Sequence, residues 1–306
     1  NSIGDGAVWA IDASPFINYC SFENNSVTRT SESEAGQHDH TANTLKFEAA
    51  GGLLKITNNT FLNNKVAIDV QGSGSQITIS GNTFDGNLFE AVELAWPSTS
   101  DVTISDNVIK NGQGSSPGNY ALDLFTSGTV TVAGNQFLNQ TVGQSVALLR
   151  NGTYSITGNL FYNTPRGIFT TGGTGSVTIS DNTFVNQTCW NMVNSNGFEG
   201  AGCAVRSHTN TTISNNKFHG ANATSGNGAA IALKLGGTIS GNVFSGNTGN
   251  SLISGYQAPN ATLAIANNNF FSNTVASNVY IENSAPATAV AENNWWNSTA
   301  VSDIQA

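Results

Sequence analysis

Read as a pattern of apolar and polar positions, the chain repeats one short phrase: apolar, any, apolar, any, any, Asn, any, aromatic or apolar. Ten stretches fit it: "LKITNNTF", "ITISGNTF", "VTISDNVI", "VTVAGNQF", "YSITGNLF", "VTISDNTF", "TTISNNKF", "GTISGNVF", "LAIANNNF" and "TAVAENNW". The anchoring residues are Asn59, Asn82, Asn107, Asn135, Asn159, Asn182, Asn216, Asn242, Asn268 and Asn293, and an eleventh copy, "FINYCSF", puts Cys20 in the Asn place. Most steps between anchors are about 23 to 28 residues, the period of a solenoid. Within a copy, Val177 and Ile179 alternate with Thr178 and Ser180, which predicts a strand with one face inward. A tight bend follows, at the Asn, which tolerates left-handed backbone. Phe184 then opens a second short strand, and segments such as "VAIDV", "YALDLF" and "AAIALKL" supply a third.

Three strands and three corners in one period describe a rung of a parallel β-helix. The expectation is an all-β chain of about eleven rungs, about 4.8 Å apart and near 50 Å long. Its anchoring Asn side chains stack into an internal ladder. Phe61, Phe84, Phe137, Phe161, Phe184, Phe218, Phe244 and Phe270 form one aromatic column. The whole of 1–306 reads as one domain, with insertions at about 26–44 and 188–203.

Over nearly the whole chain the template, the Asn corner and the inward aromatic resemble the right-handed, pectin-lyase-like β-helix superfamily. "FENN", "FLNN", "FDGN" and "FSGN" are similar to the Phe-x-x-Asn repeats of surface β-helix proteins, and "ENNWWNSTAVSDI" looks like the "NNWWG" segment of extracellular repeats, with Asn297 in the Gly place. The resemblance implies a fold shared by polysaccharide lyases, hydrolases, epimerases, tailspikes and noncatalytic surface proteins. The Asp-Pro-His-Asp of alginate epimerases and the Gly-His-Gly of polygalacturonases are absent.

In the enzymes of that superfamily substrate lies along one strand face. The outward position of the third segment reads Glu48, Asp69, Glu93, Asp123, Leu149, Phe169, Arg206, Lys234, Ser254 and Tyr280. Acids on neighbouring rungs, about 5 Å apart, repel unless a cation, a raised pKa or a nearby lysine (Lys46, Lys65) relieves them. Glu48, Asp69, Glu93 and Asp123 are therefore candidate Ca²⁺ ligands. Asp69, Glu93 and Asp123 are candidate hydrolase carboxylates, and Arg206, Lys234 or Tyr280 the base or charge neutraliser of a lyase. A solvated polar stripe is the bland alternative. The short corners favour a noncatalytic structural or adhesive protein that binds a glycan, or neighbouring copies of itself in a filament.

Composition narrows the setting. A net charge of −9 and a pI near 4.7 disfavour nucleic acid, and no apolar run is long enough to span a bilayer. Few Lys and Arg, with abundant Asn, Thr and Gly, suit a secreted or cell-surface protein. Cys189 and Cys203 close a short loop and read as a disulfide, leaving Cys20 as a small buried thiol. Of nine Asn-x-Ser/Thr sequons, Asn24, Asn139, Asn151, Asn186, Asn210, Asn222, Asn260 and Asn297 are candidate glycosylation sites, while Asn58 beside the corner is constrained. His38, Asp39 and His40 in the first insertion supply too few ligands for zinc and read as solvated loop. Outward pairs such as Thr178/Ser180 form a flat hydroxyl face like that of β-solenoid ice-binding proteins, interrupted by Lys55 and Ala133. With no capping helix at either end, the chain is expected to be part of a longer protein or to stack on copies of itself.

Overall fold

The computed structural model describes residues 7–25, 43–113, 120–141, 143–148, 151–171, 175–189, 202–223, 227–255, 262–276, 281–283 and 288–296. The described strands pair in parallel, rung on rung, and wind into a β-helix. The first sheet holds the strands that run into the Asn corner, such as Asp101–Ser105, Thr153–Thr157 and Ser176–Ser180. The second sheet stacks eleven short strands, Ser21–Glu23 through Trp295–Trp296. The third includes Val92–Ser98, Tyr120–Thr126, Ile168–Thr170 and Val205–Ser207. Asn43–Thr57 and Val66–Ser80 run through the third and first sheets without a break, so those two sheets join. They bend at Gly51 and Gly74, whose φ of 77° and 78° an L side chain resists. A small fourth sheet, Thr188–Cys189, Asn222–Ala223, Thr248–Gly249 and Thr274–Val275, widens the later rungs.

Alternation explains the first sheet. Ile79, Ile104, Ile156, Ile179 and Ile213 point inward and are fully buried, while Thr78, Thr103, Ser155, Thr178 and Thr212 point outward in register. The corner that follows has a division of labour that the pattern did not reveal. The residue at positive φ is the one before the anchoring Asn: Asn58, Gly81, Asp106, Gly134, Gly158, Asp181, Asn215, Gly241 and Asn267. The anchoring Asn then turns its amide inward.

Each anchoring amide ties three rungs together. Asn135 Nδ2 donates to Ile104 O on the rung below and to Asn159 Oδ1 on the rung above, at 2.8 and 3.0 Å. Its backbone N–H donates to the same Oδ1, and its own Oδ1 accepts from the Asn107 side chain and backbone. No buried polar atom of that amide goes unpaired, which is what makes a buried Asn column tolerable. The ladder runs from Asn59 to Asn268 in this manner and ends on Asn294, which accepts from Asn268 at 2.9 Å. The expected last anchor, Asn293, is the positive-φ residue of that corner instead (φ 54°). The pairing of Leu263 with Ala289 shifts the last copy by one, because the two adjacent asparagines in "ENNWW" offer the template two placements.

The aromatic column lies beside the ladder. Neighbouring rings from Phe137 to Phe270 stack nearly parallel with centroids 4.7 to 5.0 Å apart, and Trp296, not Trp295, closes the column on Phe270 at 4.4 Å. One position breaks it: Ile109 sits between Phe84 and Phe137. Cys20 does stand at the head of the Asn ladder, its N–H donating to Asn59 Oδ1, but it is exposed rather than buried. Among the described residues no rung covers it on its other side.

A second, interrupted ladder, which the repeat phrase did not disclose, lies along the corner after the Phe, with Gly112, Thr164 and Ala221 among its positions. Asn64 donates to Asn87 Oδ1, and Asn247 to Asn273 Oδ1. Midway, Gly112 has no amide to offer, and the Gln140 side chain fills that space and donates to Ile109 O at 3.1 Å. The second Asn of "FLNN" and the Asn of "FDGN" and "FSGN" are the members of this ladder, so the signal was present in the sequence.

Candidate functional site

The candidate site residues lie in the outward column of the third sheet. Strand register aligns Trp9, Lys46, Asp69, Glu93, Asp123, Ala147, Phe169, Arg206, Ala232 and Ser254 in one lane. Asp69, Glu93 and Asp123 thus sit on three successive rungs, about 4.8 Å per step. Phe169, Arg206 and Ser254 lie further along the same lane. Glu48 and Lys234 do not belong to it: Glu48 pairs with Gln71, and Lys234 lies two residues past Ala232. A slip of two residues keeps a side chain on the same face, so alternation alone cannot detect it. What sets the register is the inward match of Leu45 and Phe47 with Ile68 and Val70. Leu149 and Tyr280 lie outside the described residues.

The lane is closed rather than open. Relative exposures are 0% for Asp69, 3% for Glu93, 2% for Asp123, 2% for Arg206 and 2% for Ser254. Burial has a direct electrostatic result. It pushes Asp69 up to about 7, against a hydrogen bond from Gln71 Nε2 (2.9 Å) and the Lys46 charge. Burial and the Glu90 charge hold Asp123 well above the usual carboxylate range. Glu90 and Arg166 come from the corners that lead into third-sheet strands, and Tyr120 opens the strand Tyr120–Thr126. Glu90 and Arg166 are buried, and all three act on this cluster. Burial, with Asp123 and Glu90 nearby, pushes Tyr120 up to about 12. None of the three was expected. Their signal was their spacing, three residues before the lane positions Glu93, Asp123 and Phe169.

Beyond Ala147 the lane turns basic. Arg206 packs its guanidinium over the Phe169 ring at 5.6 Å, and His208 meets that ring edge-on at 5.5 Å. Burial, then the Arg206 and Lys234 charges, lower His208 to about 4, so it is neutral at physiological pH. Of the four expected calcium ligands, register sets Glu48 apart from Asp69, Glu93 and Asp123. Among the described residues no three His, Cys, Asp or Glu side chains converge on a common point. Parallel register keeps the lane carboxylates side by side, and Glu48 is held 3.0 Å from Lys46 Nζ. Lys65 lies over the Phe89 ring at 5.4 Å.

Cys189 and Cys203 are bridged, tying the fourth sheet to the corner that precedes Arg206. Gly202 in that corner has φ 51°, and a Cβ there would meet Arg206 Cβ at 2.9 Å, which is how closely the backbone covers the lane at that rung. Asn24, Asn58, Asn139, Asn151, Asn186, Asn210 and Asn222 are exposed; Asn260, Asn297 and the His38–His40 segment lie outside the described residues. Among the described residues no helix is long and apolar enough to cross a membrane.

The model of the family described as "Right handed beta helix region" matches residues 1–161, 46–205 and 146–302. No curated protein and no solved structure matches the chain.

Proposed function

The chain belongs to the right-handed β-helix family, and from that premise we propose that it is a noncatalytic extracellular protein that binds a glycan along the third sheet, at Asp69, Glu93 and Asp123. One observation carries this reading. The lane position does not need a charge for folding, since Ala147, Ala232 and Ser254 fill it on other rungs. Three successive buried acids, with Glu90, Tyr120 and Arg166 beside them, cost desolvation energy. Costly polar groups gathered at one place, with raised pKa values, mark sites rather than scaffolding. Carboxylates, a phenol and a guanidinium are also the groups that hydrogen-bond sugar hydroxyls in water-poor sites. The disulfide supports an oxidising compartment.

A second reading has its own observation. Asp69 titrates near neutrality one rung from Glu93, and two carboxyl groups about 5 Å apart, one protonated, suit a retaining glycoside hydrolase. A polysaccharide panel separates the two. The binding reading expects retention on one immobilised glycan, lost in Glu93→Gln, with no new reducing ends and no absorbance at about 235 nm from a lyase product. Release of reducing ends, abolished by Asp69→Asn or Glu93→Gln, establishes the hydrolase instead. No retention and no turnover on any glycan removes both.

A further inference from the structure

The acidic lane is closed, whereas the second sheet turns its outward side to solvent. Its three-residue strands each set two outward side chains around one inward residue of the aromatic column. In nine of the ten described, at least one outward side chain is polar or charged, as in Thr83–Asp85, Val108–Lys110 and Gln136–Leu138. The exception is Leu160–Tyr162, where leucine and tyrosine flank the buried Phe161. Register sets Leu138 and Val185 on either side of Tyr162. Leu138, Leu160 and Val185 are half-buried and Tyr162 is 40% exposed, so the four form an open apolar platform centred on the phenol ring. Folding does not require it: Thr60, Thr83 and Thr183 stand in the place of Leu160 on other rungs.

One edge of the platform is lined by amides. Asn139, Asn163 and Asn186 directly follow Leu138, Tyr162 and Val185, at φ of 52°, 51° and 56°, and all three are exposed. Asn163 Nδ2 donates to Asn139 Oδ1 and Asn186 Nδ2 to Asn163 Oδ1, both at 3.2 Å, which aligns the side chains in a ridge. Each amide uses at most one of its two N–H groups this way, so every rung keeps a donor and a carbonyl lone pair for something else. Glycine meets the same backbone need at Gly86, Gly220 and Gly246, so the corner does not itself call for the amide.

Size and charge select the occupant. Leu138 to Val185 spans two rung steps, about 10 Å, far less than the roughly 800 Å² per partner that a stable protein interface buries. The outward positions of these three rungs, Gln136, Leu138, Leu160, Tyr162, Thr183 and Val185, hold no charge. Charges begin on the rungs beyond, at Lys110, 3.1 Å from Asp85, and at Lys217 and His219. An ionic ligand would lose hydration here with nothing to replace it. A sugar ring has an apolar C–H face and a rim of hydroxyls, which an aromatic platform with an amide edge matches. We propose that this face of the second sheet is a glycan-binding surface separate from the acidic lane. It takes an extended, uncharged polysaccharide, one ring lying on Tyr162 and the hydroxyls bonded to Asn139, Asn163 and Asn186.

Affinity electrophoresis of the whole chain tests it, using protein made in a bacterial host so that the sequon residues Asn139 and Asn186 keep free amides. The gels carry neutral polymers (xylan, mixed-linkage β-glucan, galactomannan) or charged ones (polygalacturonate, alginate). Retardation is expected on at least one neutral polymer. Tyr162→Phe should preserve it, while Tyr162→Ala weakens it at least about tenfold. Leu138→Lys, a side chain the same column already carries at Lys110, should weaken it as much, and Asn163→Ala less. Thr178→Val on the first sheet is the control and should change nothing. A preference for the charged polymers overturns the proposal, as does retardation that survives both Tyr162→Ala and Leu138→Lys. So does a dimer that Tyr162→Ala dissolves, which would make a second copy the occupant. Loss in Tyr162→Ala but not in Glu93→Gln sustains this surface and removes the lane reading; the reverse sustains the lane and removes this surface. Loss in each variant separately sustains both, and no retardation on any polymer removes both.

Discussion

The first and third sheets stack their strands in the same rungs, yet they treat the outward position oppositely. On the first sheet it holds Thr78, Thr103, Thr131, Ser155, Thr178, Thr212 and Thr238 on seven successive rungs, with Phe16 and Lys55 before them and Ala264 and Val290 after. On the third it runs through lysine, three acids, alanine, phenylalanine, arginine, alanine and serine. Backbone pairing is equivalent in both, so the difference is not about making a sheet. A half-exposed β-branched hydroxyl is simply what a strand favours on a wet face. A changing column of buried charge is what a strand avoids, and folding alone does not account for it on the third sheet.

That contrast can be broken at its foundation first. Asn135→Ala removes the amide from the ladder that both sheets share, leaving the Asn107 N–H and side-chain amide and the Ile104 carbonyl without it. With about 1 to 3 kcal/mol for each stranded buried group, a loss of about 4 kcal/mol or more is expected as a lower urea midpoint. Next comes the covalent tie beside Arg206. Replacing Cys189 and Cys203 together by Ala should cost about 3 kcal/mol by the loop-entropy estimate. Its exchange signature should be confined to the later rungs if the two sheets are independent there.

The acidic lane predicts a slope rather than a step. Asp69 binds its proton more tightly folded, at about 7, than in a free chain, at 3.8. The folded state therefore holds more protons between those values, and stability falls as pH rises through that window, by at most about 1.4 kcal/mol per unit. His208, lowered from 6.5 to about 4, acts oppositely and raises stability with pH between those values. The difference between the unaltered protein and Asp69→Asn, measured as urea midpoints from pH 4 to 7, isolates the carboxyl. A flat difference would show that Asp69 is solvated. The smallest effect belongs to the first sheet: Thr178→Val should shift stability by no more than about 0.5 kcal/mol. A loss of 2 kcal/mol there would erase the contrast between the sheets.

How legible each part was follows from the same physics. The first ladder and the aromatic column depend on one residue type at one corner, so a single aligned phrase exposes them; even Ile109 announces itself in "VTISDNVI". Asp69, Glu93 and Asp123 were readable as one lane because apolar neighbours bracket each of them. Glu48 and Lys234 were misplaced because a two-residue slip preserves the face, and Asn293 because its corner offers adjacent asparagines. Glu90 and Arg166 were missed because corners have no period to count along, and Tyr120 because it stands at the edge of its strand, off the outward column. The closure of the lane was unreadable, since alternation tells which way a side chain points and not what lies over it.

The Asn ladder has an arrow. At every step from Asn59 onward the backbone N–H and one side-chain N–H donate to Oδ1 of the next rung's Asn, and each Oδ1 accepts from the Asn before it. Aligned amides polarise one another, so the column strengthens with each added member. A rung copied from within this chain carries the same arrow and the same inward Phe, and it can be inserted between neighbours without inverting a single donor. Growth by duplication is therefore nearly free outside the rungs of Asp69, Glu93 and Asp123. Within the three acidic rungs it is not, because an inserted copy would separate carboxylates whose neighbours are fixed. The molecule can lengthen almost anywhere except across its one irreplaceable interval.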